Sequence, residues 1–290
     1  MSENTKIEWC DHTFNPWIGC TQVGPGCDNC YAKAWDRRFA VSGHAMHWGA
    51  GQARSRTKTW GDPVKWNKTN FYECSVCGWR GSDKDDEFSR PKKGCIHILS
   101  PARQRVFCAS LADVFDNAVP NAWRMDLFNL IASTPNLDWL ILTKRIGNVM
   151  TMCSGDSLMF DLICERVWLG ATVVNQEEAD RDIPKLLSVP AAKRFLSIEP
   201  LLGPVILPFD RLREWNRMAL LHQQPHAAGR IDWVIVGGES GHNARPMHPD
   251  WARSLKDQCE SAGVPFLFKQ WGKKAAGRLL DGREWNGVPA

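Results

Sequence analysis

"VWLGATVVNQEEADRDIPKLLSVPAAKRFLSIEP", residues 167–200, carries one complete repeat of the fold. Its opening run, Val167 to Val174, is almost unbroken apolar and too short for a helix, so it suits a strand covered on both faces. "NQEEADRDIPKLLSV" follows with acids in its first turn, a helix start, and "RFLSIEP" (194–200) returns to strand character. Strand, helix and strand in so short a span imply parallel neighbours joined by a right-handed crossover.

The same rhythm extends both ways. "RVFCASL" (105–111), "DWLILTKR" (138–145), "DWVIVGGES" (232–240) and "PFLFKQWG" (265–272) read as further strands. Between them, "PNAWRMDLFNLIAST" opens on proline and "PDWARSLKDQCESAG" closes on Gly263, which are helix boundaries. With "NPWIGC" (15–20) as a first strand and "NCYAKAWDRRFA" as its helix, the chain holds about seven βα units. The expected class is α/β, a partial or complete TIM-type (β/α) barrel, with an open doubly wound sheet as the alternative. Two stretches break the rhythm. Residues 71–97 are polar and cysteine-bearing, and 208–230 read as an inserted helix and loop. The expected organisation is a barrel over 1–70 and 98–290, with a small zinc-ribbon-like insertion over 71–97.

Composition narrows the class. With 43% hydrophobic and 23% charged residues the chain reads as soluble and globular, and no apolar run reaches bilayer length. The start, "MSENTKIEWCDHTFNP", lacks the basic-then-apolar order of a signal peptide, so the expected location is cytoplasmic, with no membrane partner. In that setting 11 cysteines, an odd number, point to metal ligands, reduced thiols or catalytic groups rather than a disulfide framework. A net charge of +4 permits nucleic-acid contact without requiring it.

In parallel α/β folds the reactive groups collect beyond the carboxyl ends of the strands. The polar residues here fall there: Ser110 and Asp113, then Thr143, Lys144 and Arg145, then Thr172 and Asn175. Ser197 and Glu199 come next, then Gly237, Gly238, Glu239 and Ser240, and finally Lys269. Any wet loop carries some polar residues, so the acids directly behind apolar runs, Glu199 and Glu239, are the most informative of them.

"WIGCTQVGPGCDNCYA" (17–32) places Cys20, Cys27 and Cys30 at the same mouth. Three thiolates from one loop suit an iron–sulfur cluster with one iron left without a protein ligand, and Gly24, Pro25 and Gly26 supply the turn that folds the loop back. A zinc knuckle completed by Cys10, His12 or His44 is the competing reading, and spacing alone leaves both open. A second set, "CSVCGWRG", gives Cys74 and Cys77 at knuckle spacing, with Cys95 and His97 to complete a zinc site. So polar an insertion has too little apolar surface to fold unaided, and a metal would supply the missing stability. Cys108 is an alternative to His97 as fourth ligand, although its place in an apolar strand argues for core packing, and Cys10, Cys153, Cys164 and Cys259 read as buried small hydrophobes or incidental thiols.

Taken together, "IEWCDHTFNPWIGCTQVGPGCDNCYA", "RVFCASLADVF", "LILTKR", "VWLGATVVNQEEADRDIPKLL", "RFLSIEPLLGPV" and "DWVIVGGESGHNARPMHPDWARSLKDQCESAGVPFLFKQWG" resemble the phage-associated three-Cys-motif family, whose members look like radical SAM proteins. The resemblance implies a partial TIM-type barrel in which Cys20, Cys27 and Cys30 hold a [4Fe-4S] cluster. S-adenosyl-L-methionine (SAM) would complete the fourth iron and be cleaved after an electron donor reduces the cluster. Under that reading Ser110, Asp113, Gly237, Gly238 and Tyr31 contact SAM, while Glu199, Glu239 and Lys269 bind or protonate substrate. Lys144 and Arg145 are placed to receive an anion such as phosphate. The first cysteine gap is six residues where the radical SAM signature C-x3-C-x2-C has three, and Tyr31 follows the last cysteine where the usual aromatic precedes it. The expected substrate is a nucleic acid or nucleotide, and a phage-encoded partner protein is a further expectation. Two other classes stand beside this one: a non-catalytic zinc and nucleic-acid-binding protein, and a metal-dependent hydrolase using Glu199 and Glu239.

Overall fold

A computed structural model describes residues 5, 7–43, 45–83, 95–96, 98–210, 229–241, 243–272 and 277–289. Its elements, in chain order, begin with strands β1 (His12–Phe14) and β2 (Trp17–Ile18), helix α1 (Tyr31–Val41), strand β3 (Ser55–Arg56) and helix α2 (Asp62–Trp66). Three short strands follow, β4 (Phe71–Cys74), β5 (Arg80–Ser82) and β6 (Leu99–Pro101). The alternating part runs β7 (Gln104–Cys108), α3 (Asn121–Ser133), β8 (Leu137–Thr143), α4 (Ile146–Cys153), α5 (Ser157–Glu165), β9 (Val167–Thr172) and α6 (Gln176–Ser188). It ends with β10 (Lys193–Ile198), β11 (Trp233–Gly237), α7 (Pro249–Ala262) and β12 (Phe266–Gln270).

Seven strands form one sheet in the order β1-β7-β8-β9-β10-β11-β12, and every neighbouring pair is parallel. Strand order follows chain order and never reverses, so the sheet is singly wound like a barrel wall rather than doubly wound about a switch point. It curls into a half-barrel with helices around it. The first strand lies upstream of the expected "NPWIGC". His12 to Phe14 pair with Val106 to Cys108, while Trp17 and Ile18 pair instead with Ser55 and Arg56. Two helices, α4 and α5, fill the β8–β9 crossover, and α5 is capped by Asp156, whose carboxylate accepts from the Met159 amide at 2.8 Å. Part of the 208–230 segment lies outside the described residues. None of the described helices is long and apolar enough to cross a membrane.

The strands alternate between two apolar clusters. Val106, Cys108, Trp139, Ile141, Leu169, Leu196, Ile198, Val234, Val236 and Phe268 face the helices. Phe107, Leu140, Trp168, Phe195, Trp233, Ile235 and Leu267 face inward, with Trp9 packed among them. Trp9 sits 4.5 Å from Phe107 and 6.1 Å from Trp233, ring centre to ring centre, and closes the lower end of the half-barrel. Gly170 exists for this packing: a Cβ there would lie 2.3 Å from the Phe195 ring. Moving two residues along the inner face changes the chemistry. Phe107 gives way to Ala109, Phe195 to Ser197 and Glu199, Leu267 to Lys269, and Trp168 through Gly170 to Thr172. The apolar floor thus carries a polar upper layer at the carboxyl ends of the strands.

Candidate functional site

Above that floor lies a cavity of about 520 Å³, lined by residues from the N-terminal segment, the cysteine loop and the ends of the strands. Cys20, Cys27 and Cys30 line it together with Tyr31, Ser110, Asp113, Thr143, Lys144, Arg145, Thr172, Ser197, Glu199 and Lys269. Gly237, Gly238 and Glu239, assigned to the same mouth from sequence, do not line it. A Cβ on Gly237 would meet the Glu199 side chain at 3.3 Å, so this glycine makes room for the acid beside it. A Cβ on Gly238 would lie 2.2 Å from the Trp271 carbonyl oxygen, and its role is close backbone packing.

The cysteine loop is held from three sides. Gly19 has φ +107°, and a Cβ there would lie 2.3 Å from the His47 carbonyl oxygen, so only glycine turns the chain into Cys20 at this point. Beneath Cys20, Arg145 donates to its sulfur at 3.3 Å, to Asp113 at 3.2 Å and to the Thr21 carbonyl at 2.7 Å. Asp113 also accepts from the Thr143 hydroxyl and from the Phe115 and Lys144 amides, so its two oxygens serve four protein groups and anchor the loop. Arg54, buried against Asp116 at 2.7 Å, reaches the Thr21 hydroxyl and the backbone of residues 47–52. On the far side, Arg245 joins Glu239 at 2.6 Å, and donates to the Pro25 carbonyl at 2.8 Å and to Asp28 at 3.0 Å. The Asn29 amide completes this clamp on Glu239 at 2.9 Å. Glu239 is therefore a positioning group. Burial alone would raise its pKa, but the Arg245 and Asn29 bonds overcome it and hold the carboxyl below its usual range.

Burial pushes the Cys20 thiol up to about 11, with Asp113 adding to the rise and Arg145 opposing it. The three thiols have no close-packed arrangement of the kind a single ion needs. Among the described residues, the one group of three or more Cys, His, Asp or Glu ligand atoms lying within 4.8 Å of one another is Cys74, Cys77 and Cys95. Thiolates on one zinc sit roughly 3.8 Å apart by tetrahedral geometry, whereas a multi-iron cluster takes one iron per thiolate and spreads them further. Of the residues considered as a fourth ligand, His12 faces away from the cavity, stacked on Trp66 at 4.2 Å and hydrogen-bonded to Gln104. Cys10 packs into the inner apolar cluster, and His44 lies outside the described residues.

Opposite the cysteines, Glu199 and Lys269 pair at 2.6 Å. Burial pulls the Lys269 ammonium down, and the Glu199 charge more than reverses this, leaving its pKa raised. Lys269 occupies Oε2 of Glu199, while the buried Oε1 has no hydrogen-bond partner. The Thr172 hydroxyl and the Trp9 and Trp48 indole N–H groups, all on cavity-lining residues, are likewise buried without partners. Unpaired polar groups are costly when buried, and these four lie on one cavity's lining, while others among the described residues, such as the Trp17 and Trp60 indole N–H groups, lie elsewhere. Tyr31 spans the rim, its hydroxyl donating to the Ser110 carbonyl at 2.6 Å, and the Ser110 hydroxyl is shared with Asn15.

Residues 4–289 match the family described as "Protein of unknown function (DUF5131)". The chain belongs to the DUF5131 family. No curated protein and no solved structure matches it. Three residues of this DUF5131 chain that hold the site together, Arg54, Arg245 and Asn29, carry no sequence signal of their own, because each acts through a partner up to 220 positions away. Strands β4 and β5, within the segment expected as an insertion, join β6 just beyond it in a three-stranded antiparallel sheet ordered β5-β4-β6. It brings the sulfurs of Cys74 and Cys95 to 4.0 Å, and Cys77 completes a group able to hold a metal ion. His97, the expected fourth ligand, lies outside the described residues. Arg80 ties this sheet to the barrel through Asp11 at 3.0 Å.

Proposed function

We propose that this protein is a radical-SAM-like enzyme whose Cys20, Cys27 and Cys30 hold a [4Fe-4S] cluster at the carboxyl end of a parallel half-barrel. One observation carries the reading. Three thiols from one preorganised loop share a roomy cavity with unpartnered polar groups, and they do not draw together to the spacing of a single ion. When bound, such a cluster supplies the single electron that breaks a carbon–sulfur bond of SAM. Everything else falls to the chain. Arg145 hydrogen-bonds the Cys20 sulfur and fixes the loop beneath it, the kind of outer support that orients metal ligands. Lys144, which has no carboxylate partner among the described residues, offers a cation to a carboxylate or phosphate in the cavity. Glu199 Oε1 accepts an N–H from the bound molecule, while Lys269 Nζ holds its proton and stays paired with Oε2. Trp9 and Phe107 close the floor against water. The substrate we infer is a nucleic acid or nucleotide.

The experiment is anaerobic reconstitution of the full chain, followed by iron and sulfide assay and electron paramagnetic resonance with and without SAM. About four irons and four sulfides per chain, and a spectrum that changes on SAM addition, support the proposal. Stoichiometric zinc with no sulfide overturns it.

We read the ion at Cys74, Cys77 and Cys95 as zinc. Three converging thiols on a small polar sheet match a structural zinc site, and a sheet of strands three or four residues long gains its stability from such an ion.

A further inference from the structure

We propose that Trp48 raises the reduction potential of the iron–sulfur cluster read at Cys20, Cys27 and Cys30, its indole N–H donating to one of the sulfur atoms there. The inference rests on that reading and adds to it the residue that tunes the site. Trp48 is buried and packs in one small apolar group with Cys20 and Ala32, and Cys30 lies against the same group. It also lines the cavity, and its indole N–H has no acceptor. Other buried indoles share that lack, but Trp17 and Trp60 pack on the helix side of the sheet and Trp9 in the inner floor. Trp48 is the one of the four packed among thiols of the cysteine loop. An unpaired buried donor is costly, and sulfur bearing negative charge is the acceptor these surroundings offer once the loop is occupied.

The ring is held ready by its own backbone. Asp36, on the buried side of α1, accepts from the His47 and Trp48 amides at 2.8 and 3.0 Å. Arg54 donates to the His47 carbonyl at 3.1 Å, and the Gly49 amide donates to the Cys20 carbonyl at 2.9 Å. The Thr21 hydroxyl returns a bond to the Gly49 carbonyl at 3.1 Å. Residues 47–49 are thus stitched to residues 20 and 21, which carry the first cysteine. Arg145 reaches the Cys20 sulfur from a different segment, so Trp48 is a second donor and not a substitute for it. A donor fixed in advance favours the state with more charge on sulfur. Reduction adds one electron and makes or breaks no bond, so the N–H interaction strengthens with it and the potential rises.

The test is a dithionite titration of the anaerobically reconstituted full chain, followed by electron paramagnetic resonance, with one electron passing from dithionite to each cluster. Trp48→Phe keeps an aromatic ring and removes the N–H. It should make reduction about tenfold less favourable, a fall of about 59 mV for a one-electron couple. Where the smaller ring disturbs folding, 3-benzothienylalanine at position 48 keeps the indole outline with sulfur in place of the N–H, and should give the same fall. In chain carrying indole-nitrogen-15 tryptophan, pulsed resonance on the reduced cluster should show a weak nitrogen-15 coupling that Trp48→Phe removes, a signature that packing alone does not produce. Iron and sulfide measured on every sample keep the two readings apart. A parent chain that loads no sulfide overturns the cluster and the role of Trp48 together. Full iron and sulfide with an unmoved potential, or with no nitrogen-15 coupling, overturns the role of Trp48 alone.

Discussion

Replacing Arg145 with glutamine tests whether the cysteine loop is built by the chain before any metal arrives. The guanidinium is nine-tenths buried and joins Asp113, the Cys20 sulfur and the Thr21 carbonyl, with Asp116 a further 3.9 Å away. Removing one partner of a buried ion pair typically costs about 3–5 kcal/mol. Here Asp113 keeps three other donors, and Asp116 keeps Arg54, so neither carboxylate is stranded. The expected loss is therefore smaller, about 2 kcal/mol, roughly 4–6 °C in melting temperature for a chain of this size. Thermal melts by circular dichroism on the metal-free chain read the stability. Iron and sulfide per chain after anaerobic reconstitution read the loop, and should fall by half or more. Arg145→Lys keeps the charge but not the fork that reaches three acceptors at once, so it should recover part of the stability and little of the cluster. A glutamine variant that melts within a degree of the parent and loads the same iron would refute the reasoning.

Other perturbations address other parts. Gly170→Ala places a methyl 2.3 Å from the Phe195 ring and should destabilise the chain by about 2 kcal/mol; Phe195→Leu in the same chain should recover part of it, as compared by urea unfolding midpoints. Glu239 has its carboxyl held below the usual 4.5, so its contribution is present above that value and fades as pH falls through the lowered folded value. Glu239→Gln should accordingly lose about 1 kcal/mol near neutrality, the partner arginine being a third exposed, and progressively less as pH falls below 4.5; a gap that does not narrow toward acid would contradict this. Cys74→Ser combined with Cys77→Ser should abolish zinc in elemental analysis while leaving iron loading at Cys20, Cys27 and Cys30 intact.

The later strands were legible because each is covered on both faces, so the period-2 alternation disappears into a continuous apolar run such as Trp233–Gly237. β1 was not, because His12 and Thr13 are polar yet buried. His12 stacks on Trp66 and bonds Gln104, and the Thr13 hydroxyl donates to Thr5 at 2.9 Å, partners that no local pattern announces. The α4–α5 pair was hidden by "CSGDS" between them, which reads as loop and in fact holds the Asp156 cap. At the site, strand-end position was enough to bring Ser110, Asp113, Glu199 and Lys269 to one cavity. It did not separate groups that face the cavity with a free atom, such as Glu199, from groups wholly used by their neighbours. Asp113 and Glu239 belong to the second kind, and their roles depend on Arg145, at the end of another strand, and on Arg245, six residues on from Glu239 in the same loop.

The two cysteine sets face opposite problems, and the chain meets them differently. Among the described residues, the sheet that carries Cys74, Cys77 and Cys95 is three short strands, where the thiols converge and an ion can serve as the core. Around Cys20, Cys27 and Cys30 the backbone is already braced. Gly24 packs where a Cβ would lie 2.5 Å from Glu178, Gly26 where one would lie 2.7 Å from Val174, and Arg54, Arg145 and Arg245 fasten the loop at Thr21, Pro25 and Asp28. Bracing of this kind fixes the backbone that carries the sulfurs, and as a group they do not lie within 4.8 Å of one another. A loop that needed only structural metal would have no use for three arginines and two packed glycines holding it open over a polar cavity. That contrast is what favours the proposed cluster at the first set and the proposed structural ion at the second.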